Sequence, residues 1–383
     1  GKLTSQLHDS IILRLPREVL LFSVVPLLTV KDIVYLDSTI GCHEINNCLY
    51  DRLQNMLSSG EIWIKLANQS KKDWLLARKI YPHYIKLFCG IQEKELLNMR
   101  CIVSKAKSLS MNYCWMLSPR SSAYFLVSCE SLLYLDLSFC RVNFKVLKTV
   151  SITCKLLNIL NVSNSLKLSG LGLVEVLQRC GALRELRMTQ CSALEERRGQ
   201  PWIVQATAHC VKLERLHMSR ACIANLSWGS LVTSHAPSLR ELDLSFTSAA
   251  GPVATILSVA QHCTELRILM LACAVTTMPV NDAVCELARR CCLLEELDLS
   301  GRAMLGNAAV EAVSEHCQAL KVLRINRCPG ITDDALVVLG VRSSCLQELC
   351  CAQCHQINTE GISLLLERLP ALHCNHYSLS NAL

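Results

Sequence analysis

The sequence predicts an α/β solenoid: a curved parallel sheet with helices on its convex side, preceded by a small helical module. Two observations predict it, a leucine pattern that recurs every 25 to 30 residues and a helical pattern between its copies. Each copy reads Leu-x-x-Leu-x-Leu-x-x-Cys, as from Leu132 to Cys140. Such a period indicates units that bury their apolar faces only against their neighbours. The first leucine of each copy, the anchor, falls at Leu132, Leu157, Leu183, Leu213, Leu239, Leu266, Leu294, Leu320 and Leu346.

Each unit divides into a strand half and a helix half. Alternate side chains of Leu-x-x-Leu-x-Leu lie on one face of an extended chain, so this half predicts a short strand. The stretch from Ile331 to Leu339 predicts a helix, because Thr332 suits an N-cap and Asp333 and Asp334 favour the positive helix start. Apolar residues then follow at helical spacing. Similar stretches begin at Asn281, Asn307 and Asn358.

The pattern divides the chain into three parts. Residues 1–66 are predicted to form a helical module, and residues 67–102 a helical linker or amino-terminal cap. Residues 103–383 are predicted to hold about ten repeats, with the last one degenerate. Weaker copies of the pattern begin at Ala106 and at Leu372.

Composition narrows the class of protein. Hydrophobic residues make up 51% of the chain, which argues against disorder and for an extended core. The net charge of +7 is spread along the sequence without a basic stripe, so no nucleic-acid partner is expected. The longest apolar run, residues 19–30, contains Pro26 and is too short to span a bilayer, so no membrane span is expected.

The 24 cysteines follow the repeat, and half of them fall three residues before an anchor or eight after one. Because free cysteine packs as a small apolar residue, these positions predict reduced core thiols and a cytoplasmic or nuclear protein. Cys351 and Cys354 have zinc-ligand spacing within a Cys/His-rich stretch, but the repeat already accounts for both, so no metal and no cofactor is expected.

The repeats resemble the cysteine-containing subclass of leucine-rich repeats, whose phrase is matched from Cys317 to Asp333. The resemblance spans about residues 103 to 377. Residues 15–36, which begin Leu-Pro-Arg-Glu-Val-Leu, resemble an F-box, and the resemblance covers about residues 13 to 66. In that family this helical module holds the Skp-type adaptor of a cullin ubiquitin ligase and the repeats hold the substrate. The resemblance implies adaptor contacts at Leu15, Pro16, Leu20, Leu27, Leu28, Asp32 and Ile33.

Two alternatives stay open for the whole chain. It is either a non-catalytic substrate receptor of a cullin ligase, or a scaffold subunit of a protein or ribonucleoprotein assembly whose amino-terminal helices only cap the repeats. No motif of an enzyme is present, so no catalytic residue is expected. Partner contacts are expected at exposed strand positions on the concave face, unless these form an ordinary solvated surface. The candidates are Tyr134, Asp136, Glu185, Arg187, Arg215, His217, Glu241, Asp243, Asp298 and Arg324.

Overall fold

The computed structural model describes the backbone of residues 64–66 and residues 81–87, 89–165, 168–191, 212–221, 238–247, 253–273 and 277–375. The predicted adaptor contacts lie outside the described residues: Leu15, Pro16, Leu20, Leu27, Leu28, Asp32 and Ile33.

The described strands form one thirteen-stranded sheet in which each strand pairs, in parallel, with the next strand along the chain. Parallel neighbours in chain order, joined through helices, are the topology of a solenoid. The strands are β1 (Ile64–Leu66), β2 (Tyr84–Leu87), β3 (Ser108–Ser110), β4 (Tyr134–Asp136), β5 (Ile159–Asn161), β6 (Glu185–Arg187), β7 (Arg215–His217), β8 (Glu241–Asp243), β9 (Ile268–Met270), β10 (Glu296–Asp298), β11 (Val322–Arg324), β12 (Glu348–Cys350) and β13 (His373–Asn375).

Helices follow most of these strands and pack against the helix of the next unit. The described helices are α1 (Glu93–Asn98), α2 (Arg100–Val103), α3 (Pro119–Leu126), α4 (Phe144–Thr153), α5 (Gly170–Arg179), α6 (Val253–His262), α7 (Asn281–Arg290), α8 (Asn307–His316), α9 (Asp333–Arg342) and α10 (Thr359–Arg368).

The leucine pattern positions this sheet. Each anchor is buried, and from Ala106 to Leu346 a strand begins two residues after it. The middle residue of every strand from β3 to β12 is a leucine with at most 2% of its surface exposed. The prediction of an α/β leucine-rich-repeat solenoid is therefore confirmed. At Leu372 the strand begins one residue after the anchor, because His373 pairs with Glu348.

The sheet begins earlier than the leucine pattern. Strand β1 contains the last three residues of the predicted amino-terminal module, and β2 lies within the predicted linker and pairs with β3. In the β2 unit Pro82 occupies the anchor position, and Ile85 and Leu87 are buried below it. Because proline replaces the anchor leucine, this unit lacks the leucine pattern that predicts the later strands.

Side chains at the helix starts connect successive units. Asn307 Oδ1 accepts a hydrogen bond from Thr332 N at 2.9 Å, and Asn307 Nδ2 donates to Thr332 Oγ1 at 2.7 Å. Asp333 Oδ1 likewise accepts from Asn358 N at 2.9 Å. Thr332 occupies the predicted N-cap position of α9, but its side chain makes no capping bond there. Its hydroxyl accepts from Asn307 of the preceding unit and donates to Asp334 Oδ2 at 3.3 Å.

Candidate functional site

The sheet face that points away from the helices is the candidate site, and we call it the open face. It carries the strand positions two and four residues after each anchor, whose neighbours in the middle of the strand point into the core. The first row is Ser108, Tyr134, Ile159, Glu185, Arg215, Glu241, Ile268, Glu296, Val322 and Glu348. The second row is Ser110, Asp136, Asn161, Arg187, His217, Asp243, Met270, Asp298, Arg324 and Cys350. All ten predicted partner contacts lie in these rows.

An ion-pair network joins three strands in the middle of the open face. Arg215 Nε donates to Glu241 Oε1 at 2.8 Å, and Arg215 Nη1 lies 3.3 Å from Glu185 Oε2. Arg187 also pairs with Glu185. Glu185 is almost fully buried, so its charge is balanced by two guanidinium groups rather than by water. We call these residues, with His217, the central network.

The central network sets the protonation of its members. The pKa of His217 is lowered, first by burial of the imidazole and then by the charge of Arg187, although Glu185 and Glu241 act in the opposite direction. His217 Nε2 lies 3.7 Å from Glu241 Oε2. The hydrogen bond to Glu241 raises the pKa of Arg215. At neutral pH this part of the open face therefore presents a neutral imidazole beside charged arginines.

A second ion-pair network lies on β10, β11 and β12. Arg324 Nη1 lies 3.4 Å from Glu296 Oε2, and Arg324 Nη2 lies 3.7 Å from Glu348 Oε1. One cation of the second row thus lies between two carboxylates of the first row. The remaining acidic charge on these strands comes from Asp298, which is 8% exposed.

The expectation that all the candidates are exposed is wrong for Asp136, Asp298 and Glu185, which are buried. The two aspartates fold back onto the turn after their strands. Asp136 Oδ1 accepts hydrogen bonds from the backbone N of Ser138 at 2.9 Å and from its hydroxyl at 2.6 Å. Asp298 accepts from Ser300 N at 2.9 Å. Asp243, which is partly exposed, makes the same bond to Ser245 N. Short-range Asp-to-backbone bonds of this kind stabilise turns.

Sequence reasoning missed the row of residues seven positions after each anchor, at the end of the open face. Most of these residues have left-handed backbone, with φ between 54° and 61° for eight non-glycine residues. Tyr113 and Phe139 stack with ring centroids 4.2 Å apart, and the Arg220 guanidinium lies 5.0 Å from the Phe246 ring centroid. The sequence pattern could have identified this row, because each of its residues lies three positions beyond the end of a predicted strand.

A shallow groove of about 520 Å³ opens beside this row. Arg220, Asp298, Asn326 and Arg327 contribute polar groups to its walls, and Cys273 contributes a thiol. Burial raises the pKa of Cys273, so this thiol is a poor nucleophile. The groove can offer hydrogen bonds and charge to a partner.

In the cysteine- and histidine-rich stretch near the carboxyl end, Cys350, Cys351 and Cys354 are buried, and Cys351 and Cys354 pack in the core. Cys354 Sγ donates to Ile325 O at 3.0 Å, and Cys351 Sγ lies 4.0 Å from Cys374 Sγ. Within the described ranges, no group of three or more potential ligands is arranged to hold a metal ion. Among the helices that the structure describes, none combines the length and apolarity needed to cross a bilayer.

Solved structures of known proteins include chains of similar fold. No protein-family model matches the sequence. A chain of the yeast Rad7 and Elc1 complex is similar at a TM-score of 0.56 and 15% identity, over 97% of this chain and 89% of that one. An internalin of Listeria monocytogenes is similar at a TM-score of 0.47 and 13% identity, over 75% of this chain and 89% of that one. At 15% identity the likeness to the Rad7 and Elc1 complex concerns the fold alone, and the parallel sheet with its leucine pattern makes the chain a leucine-rich-repeat solenoid.

Proposed function

We propose that the protein is a non-catalytic receptor that binds another protein on its open face. It would work in the cytoplasm or nucleus, and its effect on a substrate would be to hold it close to a catalytic subunit. One solved chain of similar fold comes from a complex of two proteins, Rad7 and Elc1, which makes a protein partner a reasonable analogy.

The observation that carries the proposal is a contrast between two kinds of strand position. The middle position is leucine in every strand from β3 to β12, whereas the two open rows hold residues of every chemical type. Folding needs the repeated leucine and places no such demand on the open positions. Varied side chains on one rigid face provide what specific recognition of a protein needs, with charge of both signs and apolar contacts.

We further propose that the receptor belongs to a cullin ubiquitin ligase. Support comes from the F-box-like phrase of residues 15–36 and from the order of modules, with the adaptor-binding segment before the repeats. On this proposal Leu15, Pro16, Leu20, Leu27, Leu28, Asp32 and Ile33 contact a Skp-type adaptor. The segment before β1 would form the adaptor module, and the solenoid from β1 onward would carry the substrate.

A scaffold subunit is the second candidate. The F-box-like phrase weakens after Leu36, where the tryptophan usual in that family is missing. The continuous sheet from β1 to β13 also offers the long docking surface that an assembly uses. In this case the segment before β1 would cap the solenoid and bind no adaptor.

Purification of the full chain from cells, followed by mass spectrometry of its partners, separates these candidates. The adaptor variant is Leu27→Asp with Leu28→Asp. The open-face variant is Arg187→Glu with His217→Ala. The control is Arg179→Ser, which removes an exposed charge from the outer helix α5.

We expect the native chain and the control to recover an adaptor, a cullin and a substrate. The adaptor variant should lose adaptor and cullin but keep the substrate. The open-face variant should lose the substrate but keep adaptor and cullin. Recovery of a fixed assembly without adaptor or cullin would refute the ligase role and favour the scaffold. An open-face variant that keeps every partner would refute binding at the open face.

A further inference from the structure

Exposed apolar side chains concentrate in the units of β3, β4 and β5. Of the large apolar residues that the structure describes as exposed, ten lie between residues 113 and 171 and seven in the rest of the described chain. Exposed apolar residues that lie side by side mark a site of interaction, whereas single exposed residues do not.

Four of these exposed side chains and the neighbouring Phe139 lie along one edge of the sheet, where strands end and helices begin. Tyr113 and Phe139 lie in the turns after β3 and β4, Trp115 and Met116 precede α3, and Phe144 is the first residue of α4. We call these five residues the aromatic rim. Four of them are between 40% and 55% exposed, and Phe139 is half-buried.

The surroundings of the aromatic rim are basic. Between residues 112 and 148, all of which the structure describes, the cations are Arg120, Arg141, Lys145 and Lys148, and all four are exposed. Lys148 Nζ lies 5.7 Å from the Phe144 ring centroid. The carboxylates in this range are Glu130, beyond the far end of α3, and Asp136, which is buried.

The helix ends add to the positive potential of the rim. Helices α3 and α4 both begin at this edge, and neither has an acidic residue in its first turn. Each helix start carries a partial positive charge. From the preceding unit Glu93 approaches and accepts a hydrogen bond from Ser118 N at 2.8 Å. Four cations and two helix starts therefore outnumber the nearby carboxylates, which are Glu93 and the buried Asp136.

We propose that the aromatic rim is a second docking surface, at the edge where the open face meets the helix starts, and that it binds an acidic segment of a protein partner that carries bulky apolar side chains. The carboxylates of this partner segment would pair with Arg141 and Lys145, and its apolar side chains would cover Trp115 and Phe144. A nucleic-acid strand fits less well, because Tyr113 and Phe139 stack directly on each other and leave no gap for a base.

Selection from a random-peptide phage library tests the proposal on the full chain. The rim variant is Trp115→Ser, Phe144→Ser and Lys145→Glu. The matched control, Ile152→Ser, Leu156→Ser and Lys155→Glu, makes the same changes at the opposite end of α4. A charge-only variant, Arg141→Glu with Lys145→Glu, leaves every apolar contact in place, and circular dichroism checks that each variant is folded.

We expect the selected peptides to be enriched in Asp and Glu beside Leu, Phe or Trp. Their binding, measured by fluorescence anisotropy, should weaken at least tenfold in the rim and charge-only variants and stay unchanged in the control. The proposal is overturned if no peptide is enriched, if the peptides lack acidic residues, or if they bind all variants equally. Rim-dependent binding of a single-stranded oligonucleotide in place of peptide would also overturn it.

Discussion

At the scale of the residue, the cysteines form two ladders that connect successive units. Eight residues after an anchor, the thiol donates to a backbone carbonyl of the preceding unit, as Cys140 does to Met111 O at 3.0 Å and Cys328 to Leu299 O at 3.6 Å. Three residues before an anchor, Cys154 and Cys180 donate in the same way. These bonds need the protonated thiol. Cysteine therefore recurs because it is small, apolar and a weak donor.

Replacing Cys328 by alanine tests this role. The change leaves a small cavity and removes the bond to Leu299 O, so we expect unfolding to become easier by about 1 kcal/mol. The midpoint of urea unfolding, followed by circular dichroism, measures the loss. Cys345→Ala is the control, because Cys345 is exposed and its replacement should change stability by less than about 0.5 kcal/mol. Equal midpoints for both variants would contradict the role.

At the scale of the element, the turns after neighbouring strands approach each other closely. A Cβ added to Gly330, after β11, would lie 2.6 Å from the carbonyl oxygen of Leu305, in the preceding unit. This atom belongs to the backbone and cannot rotate away. Glycine at this turn is therefore required by the stacking of the units, and not by its own backbone angles, since its φ is not positive.

Gly330→Ala should consequently destabilise the protein by about 1 to 3 kcal/mol, the usual range for overpacking. Thermal unfolding of the variant measures the effect. Gly181→Ala is the matched control, because a Cβ at Gly181 would meet no atom within 4 Å. If alanine were tolerated equally at both positions, the close approach of the turns would be refuted.

The bonds between helix starts should also couple neighbouring units. Asn307→Ala removes the acceptor for Thr332 N and the donor to its hydroxyl, so we expect a loss of about 1 to 2 kcal/mol. Asn307→Asp keeps the acceptor and should lose less. Hydrogen exchange of the Thr332 amide reports the bond directly, and unchanged protection in the alanine variant would argue against it.

At the scale of the whole molecule, buried thiols make stability depend on alkaline pH. Burial raises the pKa of Cys114, Cys129, Cys140, Cys263, Cys291, Cys317 and Cys328 to about 12. In the unfolded chain a thiol has a pKa of about 8.5. Above that pH the unfolded chain releases protons that the folded chain keeps. The contribution of these thiols is therefore complete below about pH 8.5 and is lost as pH rises toward 12.

Each such thiol lowers the unfolding free energy by up to about 1.4 kcal/mol per pH unit in this window. We expect the urea midpoint, measured with reductant present, to stay level between about pH 6.5 and 7.5, at least ~1 pH unit below the unfolded thiol pKa, and to fall steeply above about pH 8.5. Cys328→Ala should make the fall less steep. A midpoint that does not change up to about pH 10 would show that the thiols ionise equally in both states.

The repeat pattern by itself determined the sheet from β3 to β12. Its period, its leucines and its helix starts predict parallel strands two residues after each anchor, and local spacing is enough because each unit contacts only its neighbours. The β2 unit escaped prediction because Pro82 fills the anchor position, and the spacing rule fails by one residue at Leu372. The same ten open-face candidates follow from the pattern, because side chains alternate along a strand.

Only the tertiary structure decided what those side chains do. Arg302 stands eight residues after an anchor, where other units have cysteine, and it is fully buried. Its Nη2 donates to Leu271 O at 3.0 Å, just as the cysteines at this position donate to the equivalent carbonyl of the preceding unit. Asp136 and Asp298 turn back onto their own backbone, Glu185 is buried between two arginines, and the aromatic rim gathers residues of two units. A repeat fixes which positions face outward, since that depends on local geometry. Which charges pair and which remain exposed depends on side chains in the neighbouring units, about 26 residues away. The repeat pattern does not determine the identity of those side chains.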